Sequence, residues 1–398
     1  MSFRKRNIGL SSGLSHTSRA NPPTQDPTVT LPESTPGVRP SPDDGRPTTS
    51  TGTPSLDSLL AGHAGLPLGK ILLIEENETT DFAGTLLRYY AAEGVVQDHK
   101  VHVIGVGEQW GRNLPGLIGP ADSALENPDR KAKEKMKIAW RYERLGGFVT
   151  GIAGSRVPAV IGDKGQASME QSLVGKPPAF CHAFDLTKRL MHPSLSSMEF
   201  IPLMPARESP FSSVHKRLVA SITSSPTTAI HRIVIPSLLN PAIYPPEASQ
   251  PEHLLQFLHS LRALMNTYPN RVTSMMSLPL FLYSRSSGLV RWVEILSDGV
   301  IELCPFPHSA DSNAAIALSG AATANEEPPQ GILKIHRLPV LHERGGGSDR
   351  NIGEDWAFTV SRRKFDIKPF SLPPAEDDRE AQQDNASGEV PRKTDLDF

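Results

Sequence analysis

Carboxyl and hydroxyl side chains crowd one short stretch of the chain, positions 75–81, which reads EENETTD. An apolar segment precedes it and a helical pattern follows, which is the layout of a P-loop that binds nucleotide phosphates. A working P-loop reads G-x-x-x-x-G-K-S/T, because its bare amides wrap the phosphates and its lysine neutralises them. Here Glu75, Glu76 and Glu78 hold the loop, and each carboxylate about 4 Å from a phosphate would cost roughly 4 kcal/mol at an effective dielectric of about 20. The sequence therefore predicts a nucleotide-binding scaffold that has lost its phosphate chemistry at this position.

Two elements must position this loop. Residues 71–74, ILLI, have the length and composition of a buried parallel strand. Thr79 and Thr80 mark a helix start, an apolar stripe follows at a spacing of four, and Gly94 predicts the end of the helix. Lys70 lies directly before the strand. We therefore group Lys70 with the three carboxylates and the two threonines as the predicted degenerate nucleotide site.

Two later segments extend the pattern. Residues 101–106 predict a second buried strand and complete a βαβ unit. Residues 229–235 predict another strand, after which RecA-like ATPases carry the aspartate that holds Mg²⁺ through water. In this chain Pro236 and Ser237 follow instead. The predicted fold is α/β and RecA-like, a mostly parallel sheet flanked by helices, without an intact Walker A or Walker B motif.

Composition narrows the function classes. The formal net charge is −2, so a nucleic-acid partner would have to meet a local basic patch. Cys181 and Cys304 are the two cysteines, which excludes a disulfide framework. Cys181 lies near His182 and Asp185, but a second pair at ligand spacing is missing, so we predict no metal site. The sequence also predicts no cofactor and no catalytic residue of its own.

Targeting signals are weak. The chain lacks an apolar run near the roughly 18 residues that a membrane span requires, and its first ten residues lack the apolar part of a signal peptide. We expect no membrane partner and a location in the cytoplasm and the nucleus.

The predicted organisation is one domain with loose segments. Residues 1–49 are rich in Ser, Thr and Pro and predict a disordered tail, and residues 371–398 predict a disordered acidic tail. The domain spans residues 50–370. Within it we expect disordered inserts at about 120–178, 308–329 and 343–353. Its last strand is predicted at 356–360, continuing through 361–365.

Several motifs together resemble one family. They are FRKR at the start, STG-x-x-SLD-x-LL, LGKILLIEENETTDF, LLRYYAAEG, KMKIAWRYE, FCHAFDLTKR and SDGVIEL. This order of motifs is similar to the PAXNEB family, the fourth protein of the Elongator complex, in its fungal form, over residues 50–370. The resemblance implies a RecA-like subunit that forms a hetero-hexameric ring with Elongator proteins 5 and 6 and joins the larger subcomplex carrying the catalytic subunit. It also implies binding of tRNA during modification of the wobble uridine, U34, to 5-carboxymethyl derivatives.

The tRNA contacts are predicted on exposed bases. Arg362, Arg363 and Lys364 are the leading candidates and Arg141 is another, with ordinary solvated charge as the alternative for each. A second hypothesis is a ring ATPase that uses a degenerate or composite site between subunits to control tRNA release, since a helix start still attracts anions. A recombinase that forms filaments on DNA is disfavoured, because it requires an intact ATP switch. We expect no DNA partner.

Overall fold

The computed structural model describes residues 35–60, 64–119, 179–191, 197–203, 209–307, 328–339 and 356–370. Among these residues, the strands are β1 (Val38–Pro40), β2 (Pro47–Thr49), β3 (Leu66–Pro67), β4 (Ile71–Glu76), β5 (Lys100–Ile104), β6 (Pro115–Leu117), β7 (Phe184–Arg189), β8 (Met198–Ile201), β9 (His231–Ile235), β10 (Val272–Pro279), β11 (Gly299–Pro305), β12 (Gly331–Arg337), β13 (Trp356–Val360) and β14 (Phe365–Pro369). The α-helices are α1 (Pro54–Leu59), α2 (Phe82–Val96), α3 (Glu108–Gly111), α4 (Ser212–Ser224), α5 (Pro251–Thr267) and α6 (Gly288–Leu296).

A nine-stranded sheet forms the centre, in the order β14-β13-β12-β11-β4-β10-β9-β5-β8. The six strands from β11 to β8 are mutually parallel, and β12, β13 and β14 add antiparallel pairs at one side. Helices cover both faces, as buried parallel strands require. The predicted α/β, RecA-like architecture is confirmed. The predicted strands of the βαβ unit, β4 and β5, are parallel but not neighbours, because β10 and β9 lie between them.

Side-chain alternation along the strands builds two cores. On one face, Ile71 and Leu73 of β4 pack with the apolar stripes of α4, α5 and α6. On the other face, Leu72 and Ile74 pack with α2 and with the antiparallel strands β12 to β14. Because successive residues of a strand point to opposite faces, the two glutamates that end β4 must enter different layers.

The ordered domain begins earlier than the sequence predicts. Residues 35–49 were assigned to the disordered tail, yet β1 and β2 form a small antiparallel sheet with β3. Arg232, fully buried on β9, explains this difference. Its guanidinium donates hydrogen bonds to the Ser50 carbonyl at 2.8 Å and the Thr49 hydroxyl at 2.6 Å. A buried guanidinium requires such acceptors, so it fixes the segment that supplies them.

Two element boundaries also differ from the prediction. Helix α2 continues through Gly94 to Val96, because Gly94 makes room for Arg232: a Cβ atom at Gly94 would lie 2.7 Å from the Arg232 Cδ. The last strand does not run through 361–365. The chain turns there, with the Ser361 amide donating to the Lys364 carbonyl, and β14 returns antiparallel to β13.

Most of the predicted loose segments lie outside the described residues. This holds for 1–34, for most of the predicted inserts and for 371–398. Among the described helices, we find none that combines the length and the apolar character needed to cross a bilayer.

Candidate functional site at the carboxyl end of the fourth strand

The loop predicted to be a degenerate P-loop connects β4 to α2, at the edge of the sheet where the parallel strands end. Ligands of open α/β sheets bind at this edge. Glu75 and Glu76 are both buried at the end of β4, and the loop then passes through exposed Glu78 and Thr79. Glu78 has a backbone φ of 63°, in the left-handed region that favours glycine. The sequence correctly placed Glu78 and Thr79 in the strand-to-helix loop, but it ended the strand at residue 74, whereas β4 continues through Glu75 and Glu76.

Glu76 holds the start of α2 with its own carboxylate. The Oε1 atom accepts hydrogen bonds from the Phe82 amide at 2.7 Å and from the Thr80 hydroxyl at 2.7 Å, and Oε2 accepts from the Ala83 amide at 3.3 Å. The first amides of a helix have no partner within the helix and carry a partial positive charge, which is why phosphates bind there. Burial raises the pKa of Glu76 to about 7, and these three donors oppose that shift.

The chemistry of this loop follows from that geometry. The donors that a P-loop would present to a phosphate are here bonded to a carboxylate of the same chain. A bound phosphate would have to displace Glu76 and leave its charge buried, and burying an unpaired charge is costly. As arranged, the loop stabilises its own helix start.

Lys70 does not belong to this site, which corrects the sequence prediction. It precedes β4, whose six residues, at roughly 3.3 Å each, place it about 20 Å from the loop. Its Nζ atom forms an ion pair with Asp298 at 3.1 Å, and Asp298 also accepts from the Ile71 amide. Proximity in sequence misled the prediction, because an extended strand separates its two ends more than any other element.

The position expected for a metal-holding aspartate follows β9. Strand β10 separates β9 from β4 in the sheet. After Ile235 the chain continues through Pro236 and Ser237, and the Ser237 amide donates to the Ser277 hydroxyl at 2.8 Å. These residues offer no carboxylate at this point of the chain.

A second polar cluster lies on the opposite face of β4 and was missed by the sequence analysis. Glu75 pairs in register with Glu302 of the neighbouring strand β11. His336 of β12 lies 2.6 Å from Glu302, measured from Nε2 to Oε2. Arg285, from the connection between β10 and α6, donates to Glu294 at 2.6 Å.

The two buried glutamates of this cluster differ in electrostatic environment. The hydrogen bond from His336 lowers the pKa of Glu302 to about 2. Burial, and then the nearby charge of Glu294, raise the pKa of Glu75. The one sequence signal for this cluster is an acidic residue inside the apolar run VIELC. The other members are separated by up to 261 positions, from 75 to 336, so spacing could not reveal them.

The predicted tRNA contacts lie in the turn between β13 and β14. Arg362, Arg363 and Lys364 are exposed, and Lys364 forms an ion pair with Asp366 at 3.0 Å. Strand β13 runs parallel to β4, because two antiparallel pairings separate β13 from β11. The turn therefore lies at the same edge of the sheet as the loop after β4. Arg141 lies outside the described residues.

Large apolar side chains are exposed in the connection between β10 and β11. Phe281 and Leu282 follow β10, and Trp292 and Ile295 lie on α6, with Trp292 half exposed. Exposed apolar groups within one short segment are typical of a protein interaction surface. We refer to these four residues as the apolar patch.

The fold and this loop define a RecA-like α/β subunit in which the Glu76 carboxylate accepts the hydrogen bonds of the helix start. A family model described as PAXNEB protein matches residues 31–398, and the chain belongs to that family. It is 32% identical to Elongator complex protein 4 of Schizosaccharomyces pombe over 86% of this chain and 90% of the relative. It is 31% identical to the protein of the same name from Saccharomyces cerevisiae, over 85% of this chain and 76% of the relative.

A solved structure was also found. It is a KaiC-like protein from Pyrococcus horikoshii, with 14% identity and a TM-score of 0.39, over 81% of this chain and 99% of the other.

Proposed function

We propose that this chain is a non-catalytic subunit of the Elongator complex in the cytoplasm and the nucleus. In this proposal it forms a hetero-hexameric RecA-like ring with Elongator proteins 5 and 6. The ring binds tRNA and supports modification of the wobble uridine to 5-carboxymethyluridine derivatives. The observation that carries the non-catalytic role is the Glu76 carboxylate, which occupies the amide donors at the start of α2. The names of the relatives support membership of the complex.

The alternative is a ring ATPase with a degenerate or composite site. It would need free donors at the helix start and a lysine near the phosphates. The Phe82 and Ala83 amides are bonded to Glu76, and Lys70 is paired with Asp298 at the other end of β4. A neighbouring subunit could supply cations but could not free these amides. The geometry therefore favours the scaffold role.

The apolar patch supports assembly into a ring. Half-exposed Trp292 and exposed Phe281, Leu282 and Ile295 leave apolar surface that burial against a partner would stabilise, by about 25 cal/mol per Å². Tryptophan is enriched among the residues that dominate interface energetics. We propose that this patch contacts a neighbouring subunit of the ring.

The basic turn supports contact with RNA. Its three cations lie at the edge of the sheet where the parallel strands end, so a ring would present several such turns together. Each phosphate neutralised releases counterions, so binding grows with the number of contacts and weakens with salt. A chain with a net charge of −2 can bind RNA through such a local surface.

The assembly test is co-expression of the full chain with Elongator proteins 5 and 6, followed by native mass spectrometry. We expect one hetero-hexamer, and we expect Trp292→Asp to dissociate it while the isolated variant keeps its circular dichroism spectrum. Leu117→Asp is the matched control, since Leu117 is exposed on β6, away from the patch. A stable monomer in the presence of both partners would contradict the ring.

The RNA test is the salt dependence of tRNA binding by that assembly. Replacing Arg362, Arg363 and Lys364 by alanine should lower the affinity and flatten the plot of log affinity against log salt by about 0.7–0.9 per lost phosphate contact. The control replaces three cations of α4 and α5 on the other layer: Lys216, Arg217 and Arg262. Equal slopes in all three proteins would exclude the basic turn.

The nucleotide test is binding of a fluorescent ATP analogue with Mg²⁺ to the full chain and to the assembly. We expect no binding to the isolated chain at millimolar nucleotide, and any turnover by the assembly should be unchanged by Thr79→Val. ATP turnover by the chain alone would reverse the assignment. A loss of ring turnover in Thr79→Val would favour the composite ATPase.

A further inference from the structure

The cluster on the second face of β4 has the donor atoms of a metal site. Glu75, Glu302 and His336 come from three strands that are adjacent in the sheet, β4, β11 and β12. Each offers one ligand atom, and these atoms lie within 4.8 Å of one another. Imidazole nitrogen and carboxylate oxygen are both ligand atoms that bind Zn²⁺ in proteins. Glu75 and Glu302 pair in register across β4 and β11, and His336 lies at the register shift in the pairing of β11 with β12.

Glu75 supplies independent evidence that something is bound here. Its side chain is completely buried, and no donor among the described residues forms a hydrogen bond with either carboxylate oxygen. Arg285 forms an ion pair with it, but the Nε atom lies 3.6 Å from Glu75 Oε2, beyond hydrogen-bond distance. Buried carboxylates in proteins are normally paired or coordinate a metal. Within the described part of the chain, Glu75 therefore has one long ion pair and no hydrogen bond.

His336 shows a second conflict in the same place. Its Nε2 atom lies 2.6 Å from Glu302 Oε2 and 2.7 Å from Arg285 Nη1. A protonated Nε2 donates to the carboxylate and repels the guanidinium donor, whereas an unprotonated Nε2 does the reverse. One imidazole nitrogen cannot satisfy both neighbours. A cation bound by both Nε2 and Oε2 would remove the conflict.

Arg285 occupies the position of that cation. Its guanidinium has Glu75, Glu294 and Glu302 around it, and its side chain is 37% exposed, reaching in from the connection before α6. The single positive charge of this guanidinium faces three carboxylates. If a metal ion replaced Arg285 at the other two glutamates and at His336, the hydrogen bond to Glu294 would still hold the Arg285 guanidinium.

Outer contacts orient the Glu302 carboxylate. The Asn77 side-chain amide donates to Glu302 Oε1, and the Cys304 thiol donates to the same oxygen at 3.1 Å. This leaves Oε2 toward His336. Metal-binding carboxylates usually have such supporting hydrogen bonds.

We propose that Glu75, Glu302 and His336 bind one Zn²⁺ ion, with Arg285 displaced toward Glu294 and a fourth position open to solvent. The ion would join three neighbouring strands directly beneath the loop that leads to α2. This inference is independent of the ring and of tRNA, and it revises the sequence prediction that the chain binds no metal.

The test is a titration of the chelator-treated full chain with zinc chloride, followed by calorimetry and metal analysis. We expect one ion per chain, and we expect His336→Ala or Glu302→Gln to lower the affinity at least about tenfold. His259→Ala, on the exposed face of α5, is the matched control and should bind as the unmodified chain does. Equal zinc binding by His336→Ala and the unmodified chain would overturn the proposal.

A second variant distinguishes this site from adventitious binding. Arg285→Gln removes the competing cation and keeps all three ligands, so zinc affinity should rise by about tenfold. Adventitious histidines elsewhere predict no change. Cobalt(II) provides a direct readout, since its visible absorption reports coordination, and the bands should be absent in His336→Ala. Unchanged affinity in Arg285→Gln together with no cobalt spectrum would exclude the site even if a ligand variant failed to fold.

Discussion

Two adjacent glutamates, Glu75 and Glu76, lie on opposite faces of β4 and differ in their hydrogen bonding. Glu76 faces α2 and accepts three hydrogen bonds, whereas Glu75 faces the other layer and accepts none from the part of the chain that the structure describes. Both side chains are buried, so burial does not separate them. What separates them is the number of hydrogen-bond donors that each carboxylate can reach. A helix start provides oriented amide donors. On the other face of the strand, the donors have to be side chains from distant parts of the chain.

The largest expected effect tests the Glu76 side of this comparison. Glu76→Ala should lower the free energy of unfolding by ~2–4 kcal/mol, because it leaves two amides and a hydroxyl without their shared acceptor. Glu78→Ala in the same loop is the control, since Glu78 is exposed, and it should change stability by less than about 0.5 kcal/mol. Urea denaturation measures both. An equal effect of the two substitutions would refute the capping role.

A buried histidine extends the comparison to another group. His231 is completely buried, its Nε2 atom has no hydrogen-bond partner among the described residues, and burial lowers its pKa from 6.5 to about 3. The unfolded chain therefore binds a proton below pH 6.5 that the folded chain does not. Folding stability should be full above that pH and should fall on acidification, by about 1.4 kcal/mol per pH unit from this residue.

Stability measured at pH values from 7.5 to about 4.5 checks this expectation. His231→Gln should flatten the loss of stability below pH 6.5, and His259→Gln should leave it unchanged. A parallel profile for His231→Gln and the unmodified chain would show that the histidine takes up its proton without unfolding.

The Glu75 side predicts an effect of opposite sign. In the presence of a chelator, Glu75→Gln should be neutral or raise the free energy of unfolding by about 1 kcal/mol, because it removes a buried carboxylate whose one ion pair, with Arg285, is too long for a hydrogen bond. With zinc present the sign should reverse, since the variant loses a ligand. Thermal denaturation in both conditions measures the difference. A strong destabilisation in chelator would show that Glu75 has an effective partner in the protein.

The smallest expected effect concerns one donor to Glu76. Thr80→Val removes the 2.7 Å hydrogen bond and should cost ~0.5–1.5 kcal/mol. Thr79→Val provides a matched neighbour that is exposed, and it should be nearly neutral. If both substitutions were neutral, the hydrogen bonds from the two amides of α2 alone would account for the capping of this helix by Glu76.

The spacing of apolar residues predicted the regular elements well, because it reflects which residues are buried. Residues 71–74 lie in β4 and residues 231–235 of the predicted segment 229–235 form β9, because a short apolar run of this length is typical of a buried strand. The prediction was wrong where one side chain overrode local signals. Gly94 reads as a helix end until Arg232 is seen packed against it, and residues 35–49 read as a tail until the same arginine is seen bonded to them.

The sequence by itself determined that a buried strand covers residues 71–74, but it placed Glu75 and Glu76 in the loop that follows, whereas the structure shows that they extend β4 toward different layers. It also determined that a carboxylate-rich loop replaces a glycine-rich one. Only the tertiary structure decided that Glu76 caps α2, that Lys70 lies at the far end of the strand, and that Glu75 meets Glu302 and His336. The physical reason is that hydrogen bonds and ion pairs act over about 3–4 Å in space, whereas the partners of Glu75 are separated from it by more than two hundred residues of chain.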